Sequence, residues 1–201
     1  MSAPPPAAQT ALHSLQLLKE GNARFVAGES HFGSLTARRT ELTAGQSPFA
    51  IVLGCSDSRV PIETVFDQPP GHLFVVRLAG NFVDDNGLAS IEYSIAVLGS
   101  TLILVLGHSS CGAVDATVRF LRDGTVQPGH IQKLVTAIEP AAAAVKDQPG
   151  DWVANAVEEN VRLNVAAMTA GSRIIADAVQ SGVVRVIGAV YDLRGGKVSF
   201  H

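Results

Sequence analysis

The sequence FAIVLGCSDSR, residues 49–59, runs from an unbroken apolar segment directly into a thiol, a carboxylate and a guanidinium. A second segment, TLILVLGHSSCG at residues 101–112, has the same form and ends in a histidine and a cysteine. Apolar runs of this kind are typical of strands in a parallel sheet that is covered on both faces. Because ligand sites collect at the carboxyl ends of such strands, the two polar clusters are expected to lie close together.

The two clusters contain a possible set of metal ligands, Cys55, His108 and Cys111. Two thiolates and an imidazole form known zinc sites, and three protein ligands leave a fourth position for water or substrate. The alternative for the two cysteines is one disulfide or two inert buried thiols. We favour a metal because each cysteine follows an apolar strand and Cys111 lies three residues from His108. Asp57 and Arg59 could form an ordinary surface ion pair, but their position beside Cys55 favours a role at the metal.

Composition limits the class of protein and its partners. The chain has 201 residues, enough for one sizeable core, and we expect a single domain over 1–201. Charged residues make up 16% of it, against a typical figure of about 25%, which suggests that part of the surface is buried against copies of the same chain. The net charge of -3 and the absence of a basic run argue against nucleic acid as a partner.

The sequence also bears on location. No apolar run approaches the roughly 20 residues needed to cross a bilayer, so no membrane association is expected. The first residues lack the basic and apolar regions of a signal peptide. Thiolate ligands need a reducing compartment, and a cytoplasmic location is expected for the chain as written.

Strands that alternate with helices predict an α/β fold. We expect a mostly parallel central sheet of four strands plus a C-terminal edge strand, flanked by helices, with an extended N-terminal helix. That helix is predicted over 10–27 after a flexible arm at 1–9, and its apolar stripe must pack on its own domain or on a partner subunit. The strands are predicted at 49–54, 73–77, 101–106, 183–190 and 197–200, and the further helices near 38–42, 61–66, 88–98, 113–121, 130–145, after Asp151 and after Ser172.

The motif C-x-D-x-R at 55–59, joined at this separation to H-x-x-C at 108–111, closely resembles the β-class carbonic anhydrases. The likeness extends from LKEGNARF at 18–25, through IEY at 91–93, to the final strand. It implies that Cys55, His108 and Cys111 bind one zinc ion per chain and that Asp57 and Arg59 form a catalytic dyad. The implied reaction is reversible hydration of CO2 to bicarbonate and a proton, by attack of zinc-bound hydroxide on CO2.

The resemblance also implies a substrate pocket and an assembly. It assigns CO2 or bicarbonate contacts to Gln46, Phe74, Tyr93 and Gly112, partly across a dimer interface. It implies a homo-oligomer, either a dimer with interlocked N-terminal helices or a tetramer built from such dimers.

Two positions depart from the pattern of that family. Residues 77–81, RLAGN, replace the commoner Arg-Asn-x-Ala-Asn and predict a differently shaped wall of the pocket. Val52 stands where members with a second, regulatory bicarbonate pocket carry a tryptophan, which argues against such regulation.

Three other functions use the same residues. One is hydrolysis of a CO2-like molecule such as carbonyl sulfide or carbon disulfide. Another is a structural zinc module with Asp57 as a permanent fourth ligand. The third, a Cys-His nucleophile, is the weaker hypothesis, because two strand-end cysteines that face one histidine favour chelation of a metal. We expect Asp57 to pair with Arg59 and leave the site open at neutral and alkaline pH.

Overall fold

The computed structural model describes residues 10–31 and 35–201, with the side chains of all of these except 35–38. The arm predicted at residues 1–9 lies outside the described residues. The helices are α1 (Ala11–Ala27), α2 (Leu35–Leu42), α3 (Ile62–Val65), α4 (Asp85–Ala96), α5 (Gly112–Asp123), α6 (Ile131–Ala144), α7 (Trp152–Gly171) and α8 (Arg173–Gln180). The strands are β1 (Ala50–Gly54), β2 (Leu73–Arg77), β3 (Leu102–His108), β4 (Arg185–Tyr191) and β5 (Val198–Phe200).

The five strands form one sheet in the order β2-β1-β3-β4-β5. The first four are parallel, and β5 pairs with β4 in the antiparallel sense, which confirms the predicted fold class. The chain moves from β1 to β2 on one side and from β3 to β4 on the other. The order therefore reverses between β1 and β3, and the carboxyl ends at such a switch point form a crevice for ligands.

The sheet is buried on both faces, which explains why its central strands are apolar throughout. Along β1, Ala50 and Val52 pack in one core cluster, whereas Ile51 and Leu53 pack in the cluster on the opposite face. This alternation follows from the two-residue repeat of a strand.

Helix α1 packs on its own chain, which was one of the two predicted alternatives. Leu18 is fully buried in the core, and the Ser14 hydroxyl donates to the Phe49 carbonyl at 3.2 Å. Asn22 donates to the Val65 carbonyl at 3.1 Å. Gly21 allows the close approach, because a Cβ there would lie 1.8 Å from the Phe66 carbonyl oxygen. That the helix also packs on a partner subunit stays a prediction.

Some element boundaries differ from the prediction. The third strand continues to His108, because its neighbour β4 is long enough to pair Tyr191 with His108. Helix α3 begins at Ile62, with Pro61 as its N-cap, and not at Pro61 itself. In the described part of the chain, the helices are too short or too polar to cross a bilayer.

Candidate metal centre

Three ligand atoms converge at the switch point of the sheet. The sulfurs of Cys55 and Cys111 and a ring nitrogen of His108 lie within 4.8 Å of one another, and all three side chains are buried. Cys55 directly follows β1, His108 is the last residue of β3, and Cys111 is the N-cap of α5. Within residues 10–31 and 35–201, this is the one group of three or more such side chains with metal-binding geometry.

The imidazole of His108 is oriented for ligation. Its Nδ1 lies 2.9 Å from the carbonyl oxygen of Ser109, which can only accept, so Nδ1 carries the proton. Nε2 is then left with its lone pair, and it is buried without a hydrogen-bond partner in the described structure. The Asp57 carboxylate is 4.0 Å away, beyond hydrogen-bond distance. A buried nitrogen that lacks a partner and faces two thiols fits a metal ion.

The two thiols lie close enough for each to alter the pKa of the other. The hydrogen bond with Cys111 lowers the pKa of Cys55 to about 4, and His108 and the amides of Gly80 and Asp57 act in the same direction. The same hydrogen bond and burial raise the pKa of Cys111 above its ordinary value. Metal binding would require both thiols to be deprotonated. Two sulfurs and one nitrogen with this behaviour fit Zn²⁺.

Asp57 and Arg59 form a bidentate ion pair beside the three ligands. The Arg59 Nε donates to Oδ1 at 2.9 Å, and its Nη2 donates to Oδ2 at 2.6 Å. These bonds hold the pKa of Asp57 well below its ordinary value. Arg59 also donates to the carbonyl of Ser110 at 3.3 Å, so it connects the two ligand-bearing loops. Asp57 is thus ionised and restrained next to the metal ligands.

The backbone of the first loop is held by Arg77 at the end of β2. Its Nε donates to the Cys55 carbonyl at 2.9 Å, and its Nη2 donates to the Asp57 carbonyl at 2.6 Å. Arg77 is therefore a structural residue that holds the loop carrying Cys55 and Asp57. The next residues fold back so that the Gly80 amide donates to the Cys55 sulfur at 3.3 Å.

The second loop is held from β4. The Ser109 hydroxyl donates to Asp192 at 3.3 Å and accepts from the Leu193 amide at 2.9 Å. Ser109 in turn supplies the carbonyl that fixes the His108 ring. Ser109, Asp192 and the Gly80 amide carry no signal in the sequence, because their contacts join segments that are distant in the chain.

The four predicted substrate residues do not all lie near the three ligands. Phe74 and Tyr93 are brought together, with ring centroids 6.3 Å apart. Phe74 on β2 pairs with Ile51 on β1, and Ile51 lies four residues before Cys55. Phe74 is therefore about 13 Å from Cys55, measured along the strand direction. Gly112 directly follows Cys111, and a Cβ there would meet open space. Gln46 is exposed in the segment before β1.

Comparison with known proteins gives a consistent result. The family model described as carbonic anhydrase matches residues 50–198. The chain is 42% identical over 182 residues to a carbonic anhydrase from Mycolicibacterium smegmatis, covering 90% of this chain and 88% of the relative. It is 40% identical over 181 residues to carbonic anhydrase 2 of Mycobacterium tuberculosis, covering 90% and 87%. Among solved structures, the β-carbonic anhydrase CcaA superposes with a TM-score of 0.75 at 26% identity, covering 93% of this chain and 87% of that one.

Proposed function

This chain belongs to the β-class carbonic anhydrases, and on that premise we propose that it hydrates CO2 reversibly to bicarbonate and a proton with one zinc ion per chain. Hydration of CO2 is the general reaction of the family. We assign the zinc to Cys55, His108 and Cys111. The observation that carries the assignment is the buried Nε2 of His108, which has no hydrogen-bond partner in the described structure and faces two thiols.

A bound zinc ion with an open position would supply an acidified water as the nucleophile. The residues of the chain then have separate tasks. Asp57 accepts a hydrogen bond from the attacking water and orients it toward CO2. Arg59 keeps Asp57 ionised and restrains its carboxylate, because each of the two oxygens accepts a hydrogen bond from the guanidinium, so Asp57 would be poorly placed to act as a fourth ligand. This arrangement supports an open site over a closed, structural one.

We assign the substrate pocket to Gln46, Phe74, Tyr93 and Gly112. Gly112 lies beside its own Cys111, where the absence of a side chain leaves room for a small substrate. Phe74 lies about 13 Å back along the strand direction from its own centre, and Tyr93 packs against it, so both would line the centre of a second copy. The proposed pocket therefore needs a homo-oligomer, a dimer or a tetramer.

Metal analysis of the purified protein followed by a CO2 hydration assay tests this proposal. We expect one zinc per chain and hydration activity in the wild type. Cys55→Ala should lose both, because two ligands do not hold zinc tightly. His130→Ala, at an exposed histidine outside the centre, is the matched control and should keep both. Full zinc occupancy in Cys55→Ala would refute the ligand assignment, and zinc without turnover in the wild type would favour a structural site.

A further inference from the structure

Two asparagine side chains are buried behind the candidate metal centre. Asn160 and Asn164 lie one turn apart on α7, and only 1% and 7% of them is exposed. Burying an amide is unfavourable unless its donors and acceptors are paired. Their neighbours on the same helix, Val157 and Val161, are ordinary core residues.

Both amides bind the backbone of the loop at 78–83, between β2 and α4. Asn160 Nδ2 donates to the Gly80 carbonyl at 2.8 Å, and Asn164 Oδ1 accepts from the Val83 amide at 2.8 Å. Asn164 Nδ2 also donates to the Asn160 carbonyl at 2.8 Å and to Asn160 Oδ1 at 3.1 Å. The backbone partners fix the orientation of each amide, because a carbonyl can only accept and an amide N–H can only donate.

The loop needs such support because its backbone is strained. Asn81 has φ of 42°, in the left-handed region that non-glycine residues seldom adopt, and Gly80 has φ of 83°. Such conformations persist when the surrounding structure holds them. Gly80 is also confined by Ile138, whose Cδ1 would lie 2.4 Å from an added Cβ.

The same glycine contacts a metal ligand. Its amide donates to the Cys55 sulfur at 3.3 Å, so the strained loop delivers a hydrogen bond to the thiolate. An N–H donor stabilises the negative charge on sulfur and fixes its position. Continuous contacts therefore run from Asn164 to Asn160, to Gly80 and to Cys55.

We propose that Asn160, oriented by Asn164, is a positioning residue for metal binding. This proposal rests on the proposed zinc site. Asn160 holds the Gly80 amide against Cys55 and so sets how tightly the thiolate retains zinc. Removing the amide would leave the Gly80 carbonyl without its partner, relax the loop and weaken the hydrogen bond to sulfur. Loss of an outer partner of this kind costs about 10- to 100-fold in metal affinity.

The test compares Asn160→Leu, which removes the donor at similar volume, with Met168→Ala on the same helix. Met168 is fully buried in the core cluster and is not part of the cluster that contains Cys55 and Cys111, and its thioether makes none of the hydrogen bonds that hold the loop. Met168→Ala therefore destabilises the fold but leaves those hydrogen bonds in place. We expect Asn160→Leu to release zinc to a chelator about 10-fold faster or more than the wild type. In the Co²⁺-substituted protein, its thiolate-to-metal charge-transfer band should shift to longer wavelength, because the sulfur has lost a hydrogen-bond donor. Met168→Ala should change neither property.

Asn164→Ala is the second variant, and it should shift both properties in the same direction by a smaller amount. The proposal is overturned if soluble Asn160→Leu matches Met168→Ala in zinc release and in the cobalt band. If Asn160→Leu is insoluble, unchanged values in Asn164→Ala overturn it equally. A wild-type protein without zinc or CO2 hydration would instead refute the proposed function, so the two failures are distinguishable.

Discussion

Asp57 is the single residue whose electrostatic state bears most directly on the proposed reaction. Arg59 lowers its pKa, so the ion pair stabilises the folded state above the ordinary pKa of an aspartate. That stabilisation is lost only as the pH falls through the lowered value. Asp57 therefore keeps its charge at every pH where the enzyme would work, and it is not the group that makes activity depend on pH.

Asp57→Asn should lower CO2 hydration about 10- to 100-fold while zinc stays bound, because the amide keeps the shape but loses the charged acceptor. Activity of the wild type should rise between about pH 7 and 9, since two thiolates offset the charge of zinc and leave water less acidic than three histidines would. The pH–activity curve of Asp57→Asn should have the same midpoint pH as that of the wild type but reach a lower maximum activity. Stopped-flow assays across that range, with metal analysis, make the measurement. A flat wild-type profile, or loss of zinc in Asp57→Asn, would contradict the assignment.

Individual residues differed in how well the sequence predicted them. The convergence of Cys55, His108 and Cys111, and the pairing of Asp57 with Arg59, could be predicted because these residues stand in local motifs at the ends of apolar strands. Asn160 and Asn164 could not, because their roles depend on contacts 80 residues away. The available signal was a pair of amides at i and i+4 next to the valine stripe of α7, where an ordinary core helix would carry apolar side chains.

At the scale of elements, helix α1 depends on one glycine. A Cβ at Gly21 would lie 1.8 Å from the Phe66 carbonyl oxygen, a backbone atom that cannot move as a flexible side chain can. Gly21→Ala should therefore lower the free energy of unfolding by about 1–3 kcal/mol, although alanine normally favours a helix over glycine by about 1 kcal/mol.

Urea unfolding of Gly21→Ala measures this effect. His13→Ala, at an exposed position on the same helix, should stay within about 0.5 kcal/mol of the wild type. An alanine variant at Gly21 that is as stable as the wild type would show that the helix does not approach the chain this closely.

Periodicity predicted the existence and order of the elements but not their ends. The caps at Thr10 and Gly28 are local, and α1 ends where they indicate. The length of β3 is set by its neighbour, because pairing with Tyr191 extends it to His108. A strand whose end is decided by a distant partner cannot be delimited from its own residues.

At the scale of the whole molecule, the packing of α1 on its own chain makes deletion of that helix a poor test for an oligomer. Deleting the N-terminal helix would expose the core of its own chain around Leu18, so the resulting aggregation would say nothing about a partner. A surface substitution is the better probe. Helix α4 offers one, because Tyr93 and Val97 lie one turn apart and Val97 is 62% exposed.

The α4 surface also adjoins Phe74. Phe74 lies on β2, one of the two edge strands of the sheet, and its ring packs against that of Tyr93 on α4. We have assigned Phe74 and Tyr93 to the pocket of a second copy. An apolar surface that carries them fits contact with a second copy. The same contact would account for the low content of charged residues, 16% of the chain.

Val97→Glu should therefore dissociate the oligomer and lower CO2 hydration together, because a buried unpaired carboxylate opposes the interface and removes the second copy's pocket residues. Val126→Glu is the matched control: Val126 is 69% exposed, lies in the connection after α5, and should tolerate a charge without change in assembly or activity. Sedimentation velocity and the hydration assay on the same samples make the comparison. Zinc content should stay at one per chain in both variants, since each centre takes its three ligands from one chain.

If Val97→Glu dissociates but keeps full activity, the pocket is complete within one chain and the assignment of Phe74 and Tyr93 is wrong. If it does not dissociate, the contact between copies lies elsewhere on the surface.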